Sequence, residues 1–74
     1  MPRPSLSANR RLVDLWNLCV DTGADVTFRP GIGRPLVTRT ASRAHMVGSE
    51  AFVFVMGVTG AVPLDRVTPA GIGG

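Results

Sequence analysis

Three hydrophobic spacings follow one another along the chain, and each predicts a different element. From Ala8 to Val20 the residues Leu12, Leu15, Trp16 and Cys19 recur at i, i+3, i+4 and i+7, which is one face of an α-helix. Arg10, Arg11, Asp14 and Asn17 fall mostly off that face. Ser7 stands where an N-cap is expected, and Thr22-Gly23 supplies a stop in which the glycine can take left-handed backbone. A helix this short is marginal alone in water, so the Leu12, Leu15, Trp16 and Cys19 face is expected to dock on the rest of the chain.

Beyond Gly23 the period drops to two. Asp25 to Arg29 alternates, with Val26 and Phe28 on one side, and predicts a strand. The stretch RPGIGRP, residues 29–35, carries two prolines and two glycines in seven positions and predicts a loop. Leu36 to Val47 alternates again. Leu36, Thr38, Thr40, Ser42, Ala44 and Met46 share one face, and Val37, Arg39, Ala41, Arg43 and His45 share the other. Gly48-Ser49 predicts a turn. Glu50 to Met56 is the strongest strand: Phe52, Phe54 and Met56 lie on one face, Ala51, Val53 and Val55 on the other, and both faces are expected to be covered. After a turn at Gly57–Gly60, Ala61-Val62 begins a further strand. Pro63 belongs at an edge or a strand end, because it has no N–H to give a ladder. Leu64-Asp65-Arg66 suits one turn of 3₁₀ helix, and Val67 opens a closing strand.

These elements predict an α+β, mainly β domain, with an N-terminal helix packed on a small antiparallel barrel of four or five strands. The expected layout is a single domain over 1–70, with the helix at about 8–20 and the strands within 25–69, and a flexible tail at 71–74.

Gly60-Ala61-Val62-Pro63-Leu64-Asp65-Arg66-Val67 resembles the end of SH3 domains, where Gly-x-hydrophobic-Pro leads through a 3₁₀ turn to a valine strand. Asp25-Val26-Thr27-Phe28-Arg29-Pro30-Gly31 is similar to the acidic-hydrophobic-polar-Phe segment before that family's glycine turn. The resemblance covers about a third of the chain and implies an SH3-like barrel. The family's proline-peptide groove is not implied. The chain has no tyrosine, its one tryptophan falls on the helix, Arg66 stands where the family has an aromatic residue, and Ala51-Phe52 replaces the paired tryptophans.

Composition narrows the function classes. At 74 residues with 45% hydrophobic content the chain has material for one modest core. The single cysteine excludes an intrachain disulfide and points to a reducing, cytoplasmic setting; no repeated Cys/His spacing suggests a metal site, and no cofactor is expected. Met1-Pro2-Arg3-Pro4 opens a polar lead with no apolar stretch of signal-peptide type behind it, and no apolar run is long enough to span a bilayer. The net charge of +3 comes entirely from arginines, with no lysine, which reads most simply as GC-rich coding. A charge that mild does not by itself indicate nucleic acid.

Catalysis is not expected. His45 has no nucleophile in an activating motif, the five acidic residues are scattered, and Gly31-Ile32-Gly33 lacks the pattern of a phosphate loop. The terminal Gly73-Gly74 resembles the ending of ubiquitin-like and sulfur-carrier proteins, but in those families the helix lies between strands rather than ahead of them. The candidate partner-binding residues are Arg39, Arg43 and His45 on one strand face, with Arg29 and Arg34 on the preceding loop. Along a straight strand the Arg39 and Arg43 stems stand roughly 13 Å apart. The plainer reading of this face is ordinary solvated surface. The Ser and Thr hydroxyls at 38, 40 and 42 are expected to pair across strands. The expected role is a non-enzymatic protein-interaction module, of the size and plainness seen in phage and mobile-element proteins that block a host complex, anti-CRISPR proteins among them. A nucleic-acid-binding barrel using the arginine face is the alternative. No membrane partner is expected, and self-association into a homodimer is compatible with the small core.

Overall fold

The computed structural model describes residues 6–70. Helix α1 spans Leu6–Cys19, and Val20 continues its hydrogen bonding, donating to Trp16 O at 2.7 Å. Ser7 therefore lies inside the first turn and is not the cap. The docking face differs from the expected one. Val13 and Val20 are buried, with Asn9, Trp16 and Asn17 half-buried beside them, whereas Leu12, Leu15 and Cys19 are exposed. The physical reason is polar. Asn17 donates from Nδ2 to Ala44 O at 3.0 Å and accepts from Ala44 N at 2.9 Å through Oδ1, and Asn9 Nδ2 donates to Ser49 O at 2.6 Å. Asn9, Val13, Asn17 and Val20 recur at helical spacing, so the two amides clamp the same side of the helix that the two valines bury.

Gly23, at φ 93°, ends the helical segment as expected, and its N–H is shared between the Thr40 carbonyl at 3.0 Å and Thr40 Oγ1 at 2.9 Å. Among the described residues the β-part has six strands: β1 (Asp25–Phe28), β2 (Leu36–Arg39), β3 (His45–Val47), β4 (Glu50–Val53), β5 (Val62–Pro63) and β6 (Val67–Pro69). They form two three-stranded antiparallel sheets, in the orders β2-β1-β6 and β3-β4-β5. The domain is thus mixed α+β and mainly β; among the described residues the ladders make two sheets and do not close a barrel. Helix α1 lies against β3 and β4.

The end of the chain matches its sequence pattern closely. Pro63 pairs with Phe52 on the edge strand β5, Leu64–Arg66 forms one 3₁₀ turn, and β6 runs back to pair with β1 through Phe28↔Val67. The β3–β4 hairpin turns on Gly48-Ser49, between the paired Val47 and Glu50. Gly48 has φ 62° and Ser49 is not at positive φ, the pattern of a type II′ turn.

The stretch from 36 to 47 is two strands and not one. Ala41–Ala44 leaves the ladder and carries the chain from the first sheet to the second. Burial still alternates through the bend: Thr40 and Ala44 are buried and Thr38, Ser42 and Met46 half-buried, while Val37, Arg39, Ala41 and Arg43 are exposed. The hydroxyls on the inner side bond backbone, not each other. Thr38 Oγ1 donates to Met56 O at 2.7 Å, Thr40 Oγ1 to Asp21 O at 3.1 Å, and Ser42 Oγ to Arg43 O at 2.9 Å while accepting from Phe54 N at 3.2 Å. They supply partners where the backbone turns away from its ladder.

The core is built from small side chains: Val13, Val20, Val26, Ala44, Val53, Val55, Val62, Leu64 and Val67, with Trp16, Phe28 and Met46 packed at its margin. In β4 and its extension the inward face is Ala51, Val53 and Val55. Phe54 and Met56 point outward and are 41% and 57% exposed, so the expectation that both faces are covered does not hold.

Candidate functional site

The two sheets meet at Thr40↔Val55, an antiparallel bridge between two residues that are both buried. Hydrogen bonds flank it on either side: Ala41 N donates to Phe54 O at 2.8 Å and Met56 N to Arg39 O at 2.9 Å. The neighbours of a buried bridge pair point the other way, so Arg39 stands opposite Met56, and Ala41 opposite Phe54, on the outer surface. Directly opposed side chains on one face have Cβ atoms about 5 Å apart. Val37, 75% exposed, continues the face along β2.

Phe54 is held in place from the side. Its ring stacks on His45, with centroids 5.5 Å apart and planes 18° from parallel, and His45 Nδ1 lies 3.5 Å from the Arg43 carbonyl. Arg39 is held as well, because β1 places Asp25 in register with it and Arg39 Nε donates to Asp25 Oδ1 at 3.1 Å. Both members of that pair are about two-thirds exposed, so the contact orients the guanidinium more than it stabilises the fold. The result is an outward apolar strip, Val37, Met56 and Phe54, beside an oriented arginine. Phe, Met and Arg are the residue types enriched at protein interfaces.

The five residues singled out from the sequence do not gather at one place. Arg39 and His45 border the strip, and Arg43 lies exposed on the bend between them. Arg29 and Arg34 belong to the loop at the far end of β1 and β2, roughly 13 Å from Asp25 by strand rise. Arg29 N donates to Arg66 O at 2.8 Å, and its side chain borders a shallow depression shared with Asp65, Arg66 and Thr68. The bend at 41–44 also removes the straight-strand spacing expected between Arg39 and Arg43. Phe54 and Met56 were missed as surface residues because their alternation fits a covered strand equally well. The available signal was size, since a chain this short buries too little surface to cover both faces of the segment from Glu50 to Met56.

Two other surfaces adjoin the helix. A groove of about 610 Å³ runs between α1 and the β4–3₁₀ region, walled by Leu12, Phe52, Pro63 and Leu64 and rimmed by Glu50 and Arg66. Above it the outer side of α1 presents Leu12, Leu15 and Leu18, exposed by 50%, 52% and 81%.

Among the described residues no three His, Cys, Asp or Glu side chains gather as a metal site would need, and no helix is long and apolar enough to cross a membrane. No family model, curated protein or solved structure matches the chain.

Proposed function

We propose that this chain is a small non-enzymatic protein-interaction module whose docking face is the strip Val37, Arg39, Phe54 and Met56, bordered by His45, with Arg43 exposed on the adjoining bend. The observation that carries the reading is the exposed Phe54, stacked on His45 and facing outward beside an arginine oriented by Asp25. A partner of matching chemistry offers an apolar centre and a carboxylate for Arg39. Such a module acts by occlusion, covering a working surface of a larger assembly. That is the role of phage and mobile-element inhibitors, anti-CRISPR proteins included, in a cytoplasmic setting.

We also read the two sheets as halves of a small SH3-like barrel. The pairing of β1 with both β2 and β6, the Thr40–Val55 bridge between the sheets and the strand–3₁₀–strand ending support that reading.

The test is affinity capture with the intact chain and with a Phe54→Ala, Arg39→Glu double variant, followed by direct titration of each captured protein after purification. A purified protein that binds the parent and not the folded variant supports the docking face. Equal binding by both removes it. Titration against single- and double-stranded DNA and RNA over a salt series decides the alternative: steeply salt-dependent binding of the parent would replace the protein-partner reading.

A further inference from the structure

We propose that Arg29 and Arg66 form a binding site for a phosphate dianion, free or carried as a monoester, in the shallow depression they share with Asp65 and Thr68. The site lies at the end of β1 away from Asp25 and Arg39, and it stands independently of the docking strip.

The ladder sets two like charges face to face. Its register pairs Thr27 with Thr68 and Phe28 with Val67, and Arg29 N donates to Arg66 O at 2.8 Å, so the next rung opposes Arg29 and Arg66. Val67 is buried and marks the inner face. The rungs on either side of it turn outward, which puts both arginines and both threonines on one outer surface. Directly opposed stems stand about 5 Å apart at Cβ. The Arg66 side chain lies toward the loop that follows Arg29, its Nη1 being 3.7 Å from the position a Cβ on Gly31 would occupy. Among the described residues the one ion pair is Arg39–Asp25, so Asp65 borders the depression without pairing with either guanidinium. Opposed like charges cost stability, and an anion held between the two forks removes that cost.

The donor set selects the anion. One guanidinium fork takes both oxygens of a carboxylate, which leaves the second fork and the Thr68 hydroxyl without acceptors. That hydroxyl bonds nothing else among the described residues. A tetrahedral phosphate has oxygens for all three donors. The depression, of about 250 Å³ and open to solvent, also admits the group that a phosphate esterifies.

The experiment is an NMR titration of the intact, isotope-labelled chain, read at backbone amides and arginine Nε–H groups. It is run at constant ionic strength and about pH 7.5, where phosphate is mostly dianionic. Inorganic phosphate and phenyl phosphate should each give saturable shifts centred on Arg29, Arg66 and Thr68. Acetate should bind about tenfold more weakly or less. Tighter binding of phenyl phosphate than of inorganic phosphate assigns the site to an esterified phosphate, and the reverse order assigns it to the free ion. Arg29→Gln and Arg66→Gln should each lower phosphate affinity about tenfold while keeping the dispersed amide spectrum of the fold. Arg11→Gln removes the same charge from an exposed position on α1 and should leave the affinity unchanged. Shifts that never saturate or spread equally to Arg10 and Arg11, acetate binding as tightly as phosphate, or full affinity in Arg66→Gln would each overturn the proposal. So would tighter binding of single-stranded DNA than of phenyl phosphate at the same residues, since the ligand would then be a diester backbone.

Discussion

The side chain of Asn17 holds both backbone polar groups of Ala44, giving its Nδ2 hydrogen to the carbonyl and accepting the N–H at Oδ1, at 3.0 and 2.9 Å. The amide stands in for a strand neighbour at the point where the chain leaves the first sheet and has no ladder partner of its own. Ala44 itself is 5% exposed, so its backbone has little access to water as a replacement.

Asn17→Ala should therefore destabilise the domain by about 2–3 kcal/mol, since it removes two hydrogen bonds and leaves both groups of Ala44 unpaired. Asn17→Leu should cost as much despite adding apolar area. Urea unfolding measures both. A loss below about 0.5 kcal/mol in either variant would show that the clamp does not hold the helix.

A second prediction sets the two sides of α1 against each other. Val13→Ala should cost about 1–3 kcal/mol, because Val13 is 7% exposed and packs within the core. Leu15→Ala, at a position 52% exposed, should stay within about 0.5 kcal/mol in dilute solution. The reverse order would restore the face expected from the hydrophobic spacing.

That contrast shows what the residue pattern conveys. The strand ending at Val62–Pro63, the 3₁₀ turn at Leu64–Arg66, the left-handed Gly23 and the hairpin turn at Gly48 were all legible, because proline and glycine act through local backbone geometry. The alternation from Thr38 to Met46 was legible too, and it survives a bend that periodicity does not reveal. The helix face was legible only at Trp16, which packs at the core margin. The rest of its docking side mixes two valines with two asparagines, while Leu12, Leu15 and Cys19 face water, so hydrophobicity misplaced most of the face. The candidate site was half legible. Arg39, Arg43 and His45 fall where strand alternation puts them, but Phe54 and Met56 join them only through the Thr40–Val55 bridge, a contact across fifteen residues of chain.

The buried Thr40 gives a third prediction. Its hydroxyl donates to Asp21 O at 3.1 Å and accepts from Gly23 N at 2.9 Å, tying the end of the helical segment to the sheet junction. Thr40→Val keeps the shape and deletes the hydroxyl, and should cost about 1–2 kcal/mol. The Gly23 N–H keeps its bond to the Thr40 carbonyl, which limits the loss. Thr40→Ser keeps the hydroxyl and should cost about 1 kcal/mol for the missing methyl. Protection of the Gly23 amide in hydrogen exchange should fall in the valine variant and not in the serine variant. Equal protection in both would remove the hydroxyl from the account.

The last prediction separates binding from folding on the sheet face. Arg39→Glu with Arg43→Glu reverses two exposed charges. The Arg39–Asp25 contact is about two-thirds exposed on both sides, so its loss and the new repulsion should cost at most about 1 kcal/mol of stability. Phe54→Ala removes a half-exposed ring and its stack on His45, for about 1 kcal/mol. Both variants should fold, as read by circular dichroism and a cooperative thermal transition. Against a protein partner each should lose about 2–4 kcal/mol of binding, the charge variant through repulsion of an acidic patch and Phe54→Ala through loss of the apolar anchor. The two losses should differ in salt dependence. Added salt should weaken the parent's binding only modestly and should barely alter that of Phe54→Ala relative to it, whereas the charge variant should recover part of its deficit as repulsion is screened. If Phe54→Ala binds as tightly as the parent while the charge variant does not, the arginines act without the apolar strip, and the docking face assigned to Val37, Phe54 and Met56 is wrong.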